Sequence, residues 1–143
     1  MSRSGYTDDD GSYDQWEVIR WRGAVESAIR GKRGQKTLKA ILSAMDSLPA
    51  KRLIQNDLQS KTGTGDFCTL GVLGKARGIN MDSIDPYNRN SVAAAFQIAP
   101  ALASEIFYEN DEGCWDEETP EQRFCRMRRW VTSHIRPPSE PMT

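Results

Sequence analysis

Histidine is almost missing from this chain: His134 is the single imidazole in 143 residues. Acyl transfer by a Ser–His or Cys–His pair needs a base beside its nucleophile. The one candidate base lies near the end of a C-terminal helical stretch, where a histidine complements the helix dipole. No Gly-x-Ser-x-Gly elbow accompanies it. Cysteine is sparse and odd in number, Cys68, Cys114 and Cys125, which fits free thiols in a reducing cytoplasm. Such thiols act by default as small buried apolar residues. Without Cys-x-x-Cys or His-x₃-His spacing, a zinc site has no support. No apolar run approaches the roughly 18 residues of a membrane span, and residues 1–11 lack the apolar stretch of a secretory leader. What remains is 38% apolar and 27% charged, the arithmetic of one globular domain with a real core. It excludes collagen, coiled-coil and wholly disordered classes.

The net charge of −1 conceals segregation. Residues 16–39 hold seven bases (Arg20, Arg22, Arg30, Lys32, Arg33, Lys36, Lys39) against Glu17 and Glu26. Residues 105–121 hold eight acids and no base, and residues 122–136 return five arginines without an acid. Two readings stay open. Basic faces meet nucleic acid or an acidic partner, or the blocks neutralise one another within the fold or across a dimer.

Helical periodicity dominates the pattern. Residues 1–12, rich in Gly, Ser and Asp, read as a mobile acidic tail. Val18, Trp21, Val25, Ala28 and Ile29 then lie on one helical face up to about Arg30, where Gly31 is expected to stop the helix in left-handed geometry. A second helix is expected from Gly34 to Leu48, before Pro49. A short hairpin pairing 53–58 with 66–68 across Lys61–Gly65 is allowed. Helices follow at 68–78, 91–96 and 100–109, then an acidic loop at 110–118 whose Asn110 and Asp111 bond the next backbone groups. Thr119-Pro-Glu-Gln122 is a strong helix start: Thr cap, Pro at the first position, Gln closing the box. Phe124, Met127, Val131 and Ile135 form the stripe of that last helix, and 137–143 read as a loose tail. The expectation is a mainly α, compact single-domain bundle of five or six helices over 13–136, with room for one hairpin.

Familiar chemical templates fail one by one. Gly74-Lys75 is followed by Ala76, and Thr69 stands five before Gly74, so the phosphate-loop spacing breaks. From Asn110, Cys114 and Trp115 occupy the fifth and sixth places of a would-be calcium loop. Val92–Ile106 resembles a helix-turn-helix, but its second helix would expose Ala101, Glu105, Tyr108 and Glu109, which phosphates repel or ignore. Nucleic-acid contact is therefore expected, if anywhere, at Arg22, Arg30, Lys32, Arg33 and Lys36, and at Arg126 and Arg129. Trp115 and Tyr108 are candidate aromatic anchors for a protein partner.

Asp66-Phe-Cys-Thr-Leu-Gly-Val-Leu-Gly-Lys-Ala-Arg-Gly78, with Ile106-Phe-Tyr-Glu-Asn-Asp111 and Thr119-Pro-Glu-Gln-Arg-Phe124, resembles small phage and prophage proteins of unknown function. These carry a C-A-L-G-A-like helix, a helix ending in Asn-Asp, and a capped terminal helix. Arg20-Trp-Arg-Gly23 and Arg30–Gln35 look similar too. Thr69 departs from the usual Ala, as does the glycine-rich insertion before Asp66. The resemblance implies a compact helical fold and a phage origin, and no mechanism; with the free cysteines, the expected location is the cytoplasm of a host cell. The leading expectation is a non-enzymatic phage accessory protein that binds a host protein, as an anti-defence or host-takeover factor. A nucleic-acid-binding protein using the helix-one/helix-two junction is the alternative, and an acidic metal site around Asp111 and Asp116 a third. No cofactor, metal or membrane is expected, and homo-oligomerisation stays open.

Overall fold

The computed structural model describes residues 15–61, 65–114 and 116–136, with side chains in the first helix from Ile19 onward. Among these residues lie six α-helices: α1 (Gln15–Arg30), α2 (Lys32–Asp46), α3 (Thr69–Arg77), α4 (Arg89–Phe96), α5 (Pro100–Glu112) and α6 (Pro120–His134). A 3-10 turn occupies Met81–Ser83. The expected tails at 1–12 and 137–143, and Trp115, fall outside the described residues.

α5 is the central element. Leu102, Ala103, Ile106 and Phe107 recur at helical spacing and are all buried, and α1, α3, α4 and α6 pack around it. α2 lies across α1, α3 and α6, burying Leu38, Ile41 and Met45 completely. Each such side chain contributes about 1.5–3 kcal/mol of transfer free energy.

Two glycines make the close crossings. A Cβ on Gly34 would lie 1.7 Å from the Ala28 carbonyl oxygen, and one on Gly71 equally near the Leu58 oxygen. Side-chain-free positions let α2 touch the α1 backbone and α3 touch the 53–60 segment.

Several boundaries differ from expectation. Gly31 does not take left-handed geometry; it is extended (φ −65°, ψ 160°) and serves as the α2 N-cap, because α2 begins at once and needs a cap rather than a stop. α2 ends at Asp46. α5 continues through 110–112, which sequence assigns to a loop. The hairpin reduces to one antiparallel bridge, Gln59 with Phe67. Ser60 N–H still donates to the Asp66 carbonyl (2.8 Å), Cys68 N–H to that of Leu58 (3.2 Å) and Ile54 N–H to that of Phe67 (3.0 Å). Asn56, however, turns left-handed (φ 68°) and Leu53 N–H donates instead to the Pro120 carbonyl (3.0 Å), so no regular ladder extends. At α6 the capping box forms as expected, with Thr119 Oγ1 accepting from Gln122 N–H (3.1 Å) and Gln122 Oε1 from Thr119 N–H (2.9 Å).

Candidate docking surface

α6 places its arginines one or two turns after its cap, facing both the end of α5 and the end of α2. Arg126 clamps Glu118 with two bonds, Nε to Oε2 (2.7 Å) and Nη2 to Oε1 (3.0 Å). Its fork also donates to the Glu109 (2.5 Å) and Asn110 (3.1 Å) carbonyls at the α5 C-terminus. These are the orphan acceptors that a cation there satisfies. Arg123 is 6% exposed; it donates to the Leu53 carbonyl and to Gln55 Oε1, both at 2.9 Å, and lies 3.3 Å from Glu118. The Arg126 hydrogen bond holds the Glu118 carboxyl below its ordinary range. At the α2 end, Arg128 grips both Asp46 oxygens (2.8 and 3.1 Å), which lowers the Asp46 pKa. Acidic and basic blocks therefore do neutralise each other here, and Arg126, grouped in the sequence with the contact-forming bases, is an internal strut. Arg129 is exposed.

The α1–α2 corner is different. Arg22, Arg30, Lys32, Arg33 and Lys36 are all exposed. The only ion pair involving them among the described residues is Arg30 with Glu26 (3.6 Å, both side chains more than half exposed), a contact worth little. Gln35 fixes the corner against the end of α6: its Nε2 donates to the Ile29 (2.7 Å) and His134 (3.0 Å) carbonyls, and its Oε1 accepts from Arg136 N–H (2.7 Å).

The helix-turn-helix geometry is present by angle, since α4 and α5 meet at 106°. It cannot read a groove, because α5 is the core: Glu105, placed outside by the sequence reading, is 4% exposed. Tyr108 is half-buried and lines a small cleft with Arg89 and Phe107, where the Arg89 guanidinium stacks 4.0 Å above the Phe107 ring.

Asn110 is not the turn former that its residue type suggests; it lies within α5. It is buried; its Oδ1 accepts from Thr69 N–H (3.1 Å) and Thr69 Oγ1–H (2.8 Å), and its Nδ2 donates to the Ile54 carbonyl (2.9 Å) and Asp111 Oδ1 (2.8 Å). Asp111 also accepts from Asn56 N–H (3.1 Å). The signal was available: 102, 103, 106, 107 and 110 continue one buried stripe, so a polar residue at 110 had to be bonded inside the core.

Cys68 is buried, and burial pushes its thiol up to about 12; its Sγ caps α3 by accepting from Gly71 N–H (3.4 Å). Cys114 and Cys125 are exposed rather than buried. Among the described residues no group of three or more His, Cys, Asp or Glu side chains could hold a metal ion, and no single helix is long and apolar enough to cross a membrane. Comparison with family models, curated proteins and solved structures finds no match.

Proposed function

We propose that this protein is a non-enzymatic accessory factor that docks an acidic surface of another protein through its α1–α2 corner. One observation carries the reading. Folding engages Arg123 and Arg126 in bonds within the fold and Arg128 in a surface pair with Asp46, yet leaves Arg22, Arg30, Lys32, Arg33 and Lys36 outward, with the weak Arg30–Glu26 contact their one ion pair among the described residues. A predominantly basic corner, fastened by Gln35, steers and orients an acidic partner. In keeping with the phage-protein resemblance, the partner is a host protein met in the host cytoplasm, with an anti-defence or host-takeover role.

The test is affinity capture from bacterial lysate with the native chain and with an Arg30→Glu, Lys32→Glu, Arg33→Glu, Lys36→Glu variant, each with and without nuclease. The expected result is a defined protein that survives nuclease and is lost in the variant. Retention of the same proteins by the variant overturns the reading. Capture that nuclease abolishes transfers the corner to nucleic acid, whose phosphates the same bases would contact.

A further inference from the structure

α1 and α6 flank an open groove of about 590 Å³, within the range of peptide- and ligand-sized sites. One wall carries Val25 and Ile29 from α1; the other carries Trp130 and Ile135. Trp130 already packs against His134, ring centroids 4.5 Å apart and planes tilted by 37°, and His134 Nδ1 lies 2.7 Å from the Trp130 carbonyl, so that wall is preorganised. Arg22, Arg30 and Arg136 stand on the rim, and Gln35 fixes the end where Arg136 emerges. The groove runs directly into the basic corner. Two carboxylates also border it, Glu26 on the exposed rim beside Arg30 and the buried Glu105.

We infer that this groove seats a peptide segment of the partner protein in which carboxylates flank one aromatic or aliphatic side chain. The apolar walls take the anchor and the three arginines take the carboxylates, Arg being the side chain that pairs with them in two-pronged fashion. A nucleic-acid base fits less well. Trp21, though it lines the groove, is 93% covered, and Trp130 already packs against His134, so neither presents a free ring face for a base. The inference rests on the protein-docking reading and adds to it the identity of the recognised segment.

The probe is a random dodecamer peptide library panned on the full chain, followed by anisotropy titration of the enriched peptides against native, Arg22→Glu/Arg136→Glu and Ser133→Trp proteins. Ser133 is exposed and borders the groove, so a Trp there fills it without entering the core; unchanged melting confirms folding. The expected outcome is enrichment of Asp/Glu around Trp, Phe or Leu, with affinity falling about tenfold or more in both variants. Enriched peptides that are acidic but lack an anchor, and that bind the Ser133→Trp protein undiminished, overturn the groove while leaving the corner standing. No enrichment, or oligothymidine binding that Ser133→Trp removes, overturns the peptide assignment outright. Titration of a synthetic peptide of residues 1–14 separates one more occupant: if it binds the groove more tightly than every enriched peptide, the chain's own acidic segment is the ligand and the inference fails.

Discussion

Replacing Asn110 by Ala is the sharpest test of how this fold is held. The amide bridges α5, the start of α3 and the 53–60 segment through Thr69 and Ile54, three pieces remote in sequence. Truncation orphans the Thr69 N–H, the Thr69 hydroxyl and the Ile54 carbonyl. Thr69 is completely buried, so water does not replace the lost acceptor. At about 1–3 kcal/mol per orphaned buried group, with some relief as the hydroxyl rotates, the loss should be about 3–5 kcal/mol. That is a large share of the roughly 5–15 kcal/mol typical of a domain. Thermal and urea unfolding followed by far-UV circular dichroism would read it as a Tm lower by about 10 °C or more. A cycle with Thr69→Val sharpens the attribution, since partners in one network give coupling of about 0.5–3 kcal/mol. A loss below about 1 kcal/mol, or strict additivity with Thr69→Val, would refute the claim that this amide joins the three segments.

The Arg126–Glu118 clamp predicts acid sensitivity. Glu118 titrates below its unfolded value, so its contribution is present above the unfolded glutamate pKa of about 4.3 and is lost as pH falls through the lower folded value. Glu118→Gln should be less stable at neutral pH, by about 2 kcal/mol or more, and should show a flatter Tm-versus-pH curve below about pH 4.5; a parallel curve contradicts the assignment. Gly34→Ala and Gly23→Ala should move stability in opposite directions. The first drives a methyl into the Ala28 carbonyl and costs about 1–3 kcal/mol, whereas the second meets nothing within 4 Å and gains up to about 1 kcal/mol of helix propensity. Paired melting curves decide it. Thiol titration of native protein at mildly alkaline pH should label Cys114 and Cys125 quickly and leave Cys68 untouched until unfolding, because Cys68 is buried, which both blocks the reagent and pushes its thiol pKa up, whereas the other two are exposed; three equally fast thiols would contradict that burial.

The helices themselves were legible locally. Apolar spacing placed α1, α2 and α6; Thr119 with Pro120 and Gln122 announced the α6 cap; Gly78 ended α3 in left-handed geometry (φ 70°). These features depend on residues three or four positions apart, which is the distance a sequence pattern records. The exposed bases at 22, 30, 32, 33 and 36 were equally visible as a cluster on consecutive helical turns. Only the tertiary arrangement decided which charges remain available. Arg126 and Arg129 are three residues apart, yet one reaches across eight positions to Glu118 and the carbonyls of α5 while the other faces water. The same holds for Asn110, whose turn-forming chemistry is overridden by partners 41 and 56 residues away. Pairings of that range are set by how α5 and α6 pack on α2 and α3. Packing is a property of all the helices at once, and the groove between α1 and α6 exists only because of it.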